Sequence, residues 1–122
     1  VGSGSSSPSN FLRVNDTLYF TANDGIHGLE LWKSDGTVGG TVLVKDINSG
    51  VSGSLINFLT KVGSEVYFQA TDGMNGIELW KTNGSDVGTE MVKDIYSGSF
   101  SSSPNFLVSY NGLLYFGAND GS

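Results

Sequence analysis

Two glutamates 48 residues apart are the first candidates for chemistry. Glu30 lies in "GLELWKSDG" and Glu78 in "GIELWKTNG", so both precede Leu-Trp-Lys. Glycosidases use two carboxyl groups at a defined separation, one as acid and one as base or nucleophile. Enzymes on repeat folds usually break their symmetry at the active site, whereas these copies stay alike. We therefore expect no enzymatic activity and no catalytic residue. A buried carboxylate needs a partner, and Lys45 and Lys93, one predicted strand further on, are the expected ion-pair partners.

Acidic turns form the second candidate site. Calcium takes six to eight oxygen ligands from carboxylates, amides and carbonyls on a tight loop. The turns "ANDG", "ATDG" and "ANDG" supply that chemistry but lack the D-x-[DN]-x-[DN]-G spacing of a dedicated loop. Asp-Gly and Asn-Gly are also the usual residues of hairpin turns. We expect structural turns and no cofactor, with a Ca²⁺ or other ligand site as the alternative. The residues concerned are Asn23, Asp24, Asp72, Asn119 and Asp120.

Other catalytic centres have little support. The chain has no cysteine and one histidine, His27, which is replaced by Asn75 in the second copy. A zinc site or a Ser-His-Asp triad needs several such groups together. His27 is therefore interpreted as a surface turn residue.

The elements that position these residues repeat along the chain. Asn10-Phe11-Leu12 recurs as Asn57-Phe58-Leu59 and Asn105-Phe106-Leu107, and the Tyr-Phe pair and the Glu-Leu-Trp triplet recur at intervals of 48. Such self-similarity is typical of repeat architectures. The recurring aromatic residues are expected to pack between repeats: Tyr19, Phe20, Trp32, Tyr67, Phe68, Trp80, Tyr115 and Phe116.

Each repeat reads as four short strands. "FLRV", "TLYFTA", "LELWKS" and "TVLVKDI" alternate in polarity and are separated by turn residues. Four antiparallel strands in 48 residues are typical of a propeller blade. The predicted fold is all-β and β-propeller-like, with about two and a half four-stranded antiparallel blades. Residues 1–10 are assigned to a Ser/Gly-rich linker, 11–57 and 58–104 to two blades, and 105–122 to the first two strands of a third.

The composition argues against a nucleic-acid partner and against membrane insertion. The 122 residues carry a net charge of −6, with only six Lys and Arg and no basic cluster. A nucleic-acid surface needs such a cluster, so no nucleic-acid partner is expected. No apolar run approaches the roughly 20 residues of a membrane span, and no membrane insertion is expected.

The repeated motif resembles a known family. "GLELWKSDGTVGGTVLVKDI" and its copy are similar to the ELWxxDGT repeat, found in large, mostly bacterial, secreted or surface-attached proteins. The first copy matches in full, and the second departs at Asn83 and Ser85. The resemblance implies a repetitive β architecture and an extracellular or cell-surface setting in a bacterium. It implies no activity.

The blade count predicts the function. A propeller has about four to eight blades, so the missing blades must come from a longer chain, from copies closing a ring, or from strands shared head to tail. We expect self-association, and hence a non-enzymatic structural scaffold whose partner is itself. The alternative is a glycan- or calcium-binding propeller module of a larger surface protein.

Overall fold

The computed structural model describes residues 4–122, and these form ten β-strands and no helix. The all-β prediction is thereby confirmed, and no described segment is a helix able to cross a bilayer. Residues 1–3 of the predicted linker lie outside the described residues, and the first strand begins inside that linker, at Ser9. The strands are β1 Ser9–Val14, β2 Thr17–Asn23, β3 Leu29–Ser34, β4 Val42–Lys45, β5 Asn57–Val62, β6 Glu65–Ala70, β7 Glu78–Thr82, β8 Glu90–Lys93, β9 Asn105–Tyr110 and β10 Leu113–Gly117.

The strands form three antiparallel sheets in chain order. β1–β4 form the first sheet, β5–β8 the second sheet, and β9 and β10 the hairpin. The first strands lie side by side, β1 next to β5 and β5 next to β9. Each sheet is a separate open sheet, and no ring is closed within residues 4–122. Two sheets and a hairpin are too few to surround an axis.

The strand register repeats every 48 residues, and this repeat corrects the sequence alignment of the three Asn-Phe-Leu motifs. Tyr19, Tyr67 and Tyr115 pair with Leu12, Thr60 and Val108. The Asn-Phe-Leu motif of the first copy is therefore shifted by one residue, because Asn10 occupies the position of Phe58 and Phe106. All three have a positive φ, between 52° and 59°, next to the irregularity in each first strand. A bulky residue is strained in this left-handed conformation, whereas Asn tolerates it.

The departure of the second copy from the ELWxxDGT motif leaves its turn unchanged. Oδ1 of Asp35 accepts from the backbone N–H and hydroxyl of Thr37, at 2.9 and 2.7 Å. Oδ1 of Asn83 accepts the same two bonds from Ser85, at 2.9 and 2.7 Å. The turn needs an acceptor, a glycine and a hydroxyl, and both versions supply them.

Alternation along the strands gives each sheet two faces. Phe20 pairs with Trp32 and shares its face with Leu18; we call this the phenylalanine face. Tyr19 and Leu31 lie on the opposite, tyrosine face. The same names apply to the equivalent residues 48 and 96 positions later. The core joins the tyrosine face of the first sheet to the phenylalanine face of the second, and consists of Val14, Tyr19, Leu31, Val44, Ile47, Ile56, Val66, Phe68, Ala70 and Trp80.

Candidate functional site

Glu30 and Glu78 are fully buried, and each holds the linker that leads to the next set of strands. Glu30 accepts from the N–H groups of Ile47 and Asn48, both at 3.2 Å, and from the hydroxyl of Ser54 at 2.7 Å. Glu78 accepts from the N–H groups of Ile95 and Ser102, both at 2.9 Å, and from the Ser102 hydroxyl at 2.6 Å. Hydrogen bonds of this kind are how a buried carboxylate is stabilised without a counter-charge.

The predicted ion pairs of these glutamates are wrong. Among the described residues the ammonium of Lys45 contacts Asp86 Oδ1 at 2.9 Å, and Lys93 is exposed. Backbone amides and a serine replace lysine because the linker crosses the N-terminal ends of β3 and β7 and brings its N–H groups there. Burial raises the pKa of Glu30, an effect opposed by its hydrogen bonds with Ser54 and the two amides. Each glutamate therefore connects its own strand to the linker that follows its sheet.

Sequence reasoning missed the serines of this site. The carbonyls of Ser6, Ser54 and Ser102 accept the N–H groups of Asn23, Thr71 and Asn119, each at 2.9 Å. The hydroxyls of Ser54 and Ser102 also donate to the glutamate of the preceding sheet. The available signal was the 48-residue spacing of these serines, which is hidden among the many other serines of the linkers.

The acidic turns use their oxygens to hold their own backbone. Asp24 Oδ1 accepts from the N–H groups of Ile26 and His27, both at 2.9 Å, and Oδ2 lies 2.7 Å from His27 Nδ1. Hydrogen bonds from the backbone and side chain of His27, and then from the Ile26 N–H, lower the pKa of Asp24 to about 2. The same contact raises the pKa of His27.

The second and third turns repeat this arrangement without a histidine. Asp72 accepts from the N–H groups of Met74 and Asn75, and its Oδ2 accepts from the Asn75 side chain at 2.9 Å. Asn119 and Asp120 accept from the N–H groups of Gly121 and Ser122. Asn23 accepts from the N–H of Gly25 at 2.7 Å. Within residues 4–122 no three acidic or histidine side chains are gathered in a way that would hold a metal ion.

The aromatic residues of the predicted packing set differ in burial according to their neighbours. Tyr19, Phe68 and Trp80 are buried in the core between the two sheets. Tyr67 is half-buried on the tyrosine face of the second sheet, and Phe20 and Trp32 are half-buried on the first sheet. Tyr115 and Phe116 of the hairpin are exposed. Phe11 stacks on Phe20, with ring centroids 6.0 Å apart.

The described chain thus carries two apolar surfaces instead of an enclosed polar pocket. One is the phenylalanine face of the first sheet, where a shallow cleft is lined by Ser6, Phe20, Ala22 and Trp32, together with polar residues. The other is the tyrosine face of the hairpin, where Val108, Tyr110, Leu113 and Tyr115 are exposed. Phe116, on the opposite face of the hairpin, is 38% exposed. Contiguous exposed apolar patches commonly mark interaction surfaces.

Comparison with protein-family models, with curated proteins and with solved structures finds no match to this chain.

Proposed function

We propose that this chain is a non-enzymatic repeat scaffold whose copies associate through their open sheet faces. One observation carries the proposal. In the second sheet the phenylalanine face is covered by the first sheet. In the first sheet the same face is open. A face built of the same residue types needs a comparable neighbour to remove its apolar surface from water.

The glutamates support a structural role. Their oxygens accept bonds from backbone amides and serine hydroxyls in both copies, so they act as connectors between strands and linkers. An acid or base in catalysis must reach a substrate proton, and both carboxylates are fully buried. The resemblance to the ELWxxDGT repeat adds an extracellular or cell-surface setting to the proposal.

The placement of the first strands supports a propeller-like assembly. β1, β5 and β9 lie side by side while the other strands extend outward from them. Inner strands gathered around an axis are a feature of propellers. Further four-stranded sheets, from other copies or from a longer chain, would continue the same arrangement.

Light scattering after size-exclusion chromatography tests the proposal. We expect the mass to rise above the 12.9 kDa of one chain as concentration increases from about 1 to about 100 μM, the range of weak specific association. Negative-stain microscopy then separates rings from filaments. A constant monomer mass over that range would contradict the proposal.

Calcium or glycan binding by the turns remains a separate prediction. A Ca²⁺ ion at Asp24 or Asp72 would have to displace hydrogen bonds that those carboxylates already accept. A melting temperature raised by CaCl₂ and restored by EDTA would support the calcium site, and binding on a glycan array would support the glycan site.

A further inference from the structure

The interface between the first and second sheets shows how this chain covers a phenylalanine face. Tyr19 and Leu31 of the first sheet pack with Phe68 and Trp80 of the second. Lys33 Nζ donates to the carbonyl of Gly84 at 2.7 Å. The Tyr19 hydroxyl lies against the same glycine, at a place where any side chain on residue 84 would collide with it. Tyrosine-face residues thus meet both the apolar surface and the turn after the third strand.

The two outer faces of the described chain correspond to the two sides of that interface, with the hairpin supplying the first two strands of a tyrosine face. Leu18 of the first sheet is 37% exposed, whereas its equivalent Val66 is 0% exposed. Tyr115 of the hairpin is 52% exposed, whereas its equivalent Tyr19 is 5% exposed. Gly36, the equivalent of Gly84, has open space where Gly84 meets the tyrosine hydroxyl. Within residues 4–122 the first sheet therefore presents an open phenylalanine face and the hairpin an open tyrosine face.

We propose that these faces bind each other between copies, head to tail. The tyrosine face of the hairpin (Val108, Leu113 and Tyr115) covers the phenylalanine face of the first sheet (Leu18, Phe20 and Trp32) in the next copy. By the equivalence with Tyr19 and Gly84, the Tyr115 hydroxyl reaches the turn at Gly36. The inference rests on the proposed function and gives the association a polarity, that is, a direction from the hairpin of one copy to the first sheet of the next.

This polarity follows from the internal packing. The interface resolved between the two sheets pairs unlike faces, a tyrosine face with a phenylalanine face. A contact between unlike patches is heterologous, and every copy in it keeps one face for a further copy. The assembly therefore grows into a ring or a filament and does not stop at a symmetric dimer.

Complementary variants test the polarity. Leu18→Glu places a charge in the phenylalanine face, and Tyr115→Glu places one in the tyrosine face of the hairpin. Phe11→Glu and Leu113→Glu form a second pair if either first variant fails to fold. Val87→Glu, in an exposed turn, is the control for added negative charge. Circular dichroism and thermal melts confirm folding, and sedimentation velocity gives the mass.

The head-to-tail contact predicts a distinctive result. Each variant alone stays monomeric, with a dissociation constant raised more than about 100-fold, because a buried unpaired charge is strongly unfavourable. An equimolar mixture of Leu18→Glu and Tyr115→Glu associates like the wild type but stops at two copies, since one good interface forms and the two outer faces are blocked. Val87→Glu associates like the wild type.

Other outcomes overturn the inference. Folded variants that each self-associate like the wild type, or a mixture that forms no dimer, exclude the head-to-tail contact. Association lost in Leu18→Glu but kept in Tyr115→Glu indicates a symmetric contact between two phenylalanine faces. These results leave the proposed function standing if the wild type associates. A wild type that stays monomeric overturns the proposed function, and this inference with it.

Discussion

Phe20 and Phe68 occupy equivalent positions in the two sheets, and so do Trp32 and Trp80, yet their surroundings differ. Phe68 is 0% exposed and Trp80 is 6% exposed, whereas Phe20 and Trp32 are only half-buried. Each pair has the same cross-strand register. The difference lies in what precedes each sheet: the second sheet has the first against it, and the first has no described neighbour on that face. In these two sheets the sequence thus determines the face, and the neighbour determines its burial.

Replacing each of the two phenylalanines by alanine should give the largest difference in stability between the two sheets. Phe68→Ala is expected to lower the free energy of unfolding by about 3 to 5 kcal/mol, because it removes a fully buried ring and leaves a cavity. Phe20→Ala should cost about 1 kcal/mol in dilute solution, since its ring is partly in water already. Urea denaturation at low protein concentration measures both. Equal losses would contradict the claim that only the second sheet has its phenylalanine face covered.

The linker serines give the next largest contrast. Ser54→Ala removes a hydroxyl that donates to the buried Glu30 at 2.7 Å, and we expect a loss of about 1 to 3 kcal/mol. Ser6→Ala is the matched control, because Ser6 is exposed and holds Asn23 through its backbone carbonyl, which alanine keeps. Its effect should stay below about 0.5 kcal/mol in the dilute chain. Thermal melts of the two variants, side by side, check the prediction.

The residue with positive φ in the first strand of the hairpin should give a smaller change in stability, and of opposite sign. Phe106 has φ 52° and is 85% exposed, while Asn10 holds the same conformation in the first sheet. Phe106→Asn should stabilise the dilute chain by about 0.5 to 1 kcal/mol, because asparagine tolerates this backbone better and little burial is lost. Val108→Asn, in a strand position without positive φ, is the control and should not stabilise. A lower melting temperature for Phe106→Asn would show that the ring makes a contact worth more than the strain.

The acidic turns give the smallest effect. The hydrogen bond with Asp24 raises the pKa of His27 above 6.5, so the stability it contributes is present below pH 6.5 and is lost as pH rises through the folded pKa. The contribution of Asp24 is present above its ordinary value of 3.8 and is lost as pH falls through about 2. NMR titration of the one imidazole should show its pKa fall toward 6.5 in Asp24→Asn. Asp72→Asn, in the turn that contains Asn75, should leave that pKa unchanged.

Much of the fold could be predicted from the alternation of residues and from the 48-residue spacing. The four strands of each copy, their order and the turns between them follow from short-range rules of polarity and turn chemistry. The Asn-Phe-Leu motif misled the alignment by one residue, because similarity of letters does not reveal which residue occupies the left-handed position. That assignment depends on the backbone.

The site was predicted less well for a related reason. The sequence placed Glu30 near Lys45, one strand away, since opposite charges are the simplest partners for a buried carboxylate. The actual donors are two backbone N–H groups and Ser54, and backbone donors have no sequence signature. The path of the linker across the N-terminal end of β3 brings them to the carboxylate, and that path is a property of the packed sheets.

Quenching of Trp32 fluorescence by acrylamide tests the central claim most directly. In Trp80→Phe the only tryptophan lies on the phenylalanine face of the first sheet, and Trp32→Phe provides the buried reference. As the concentration rises from about 1 to about 100 μM, we predict that quenching of Trp32 falls toward that of Trp80, in parallel with the increase in mass. Quenching of Trp32 that stays constant while the mass increases would show that association uses another surface. Constant quenching at the mass of one chain would contradict the account as a whole.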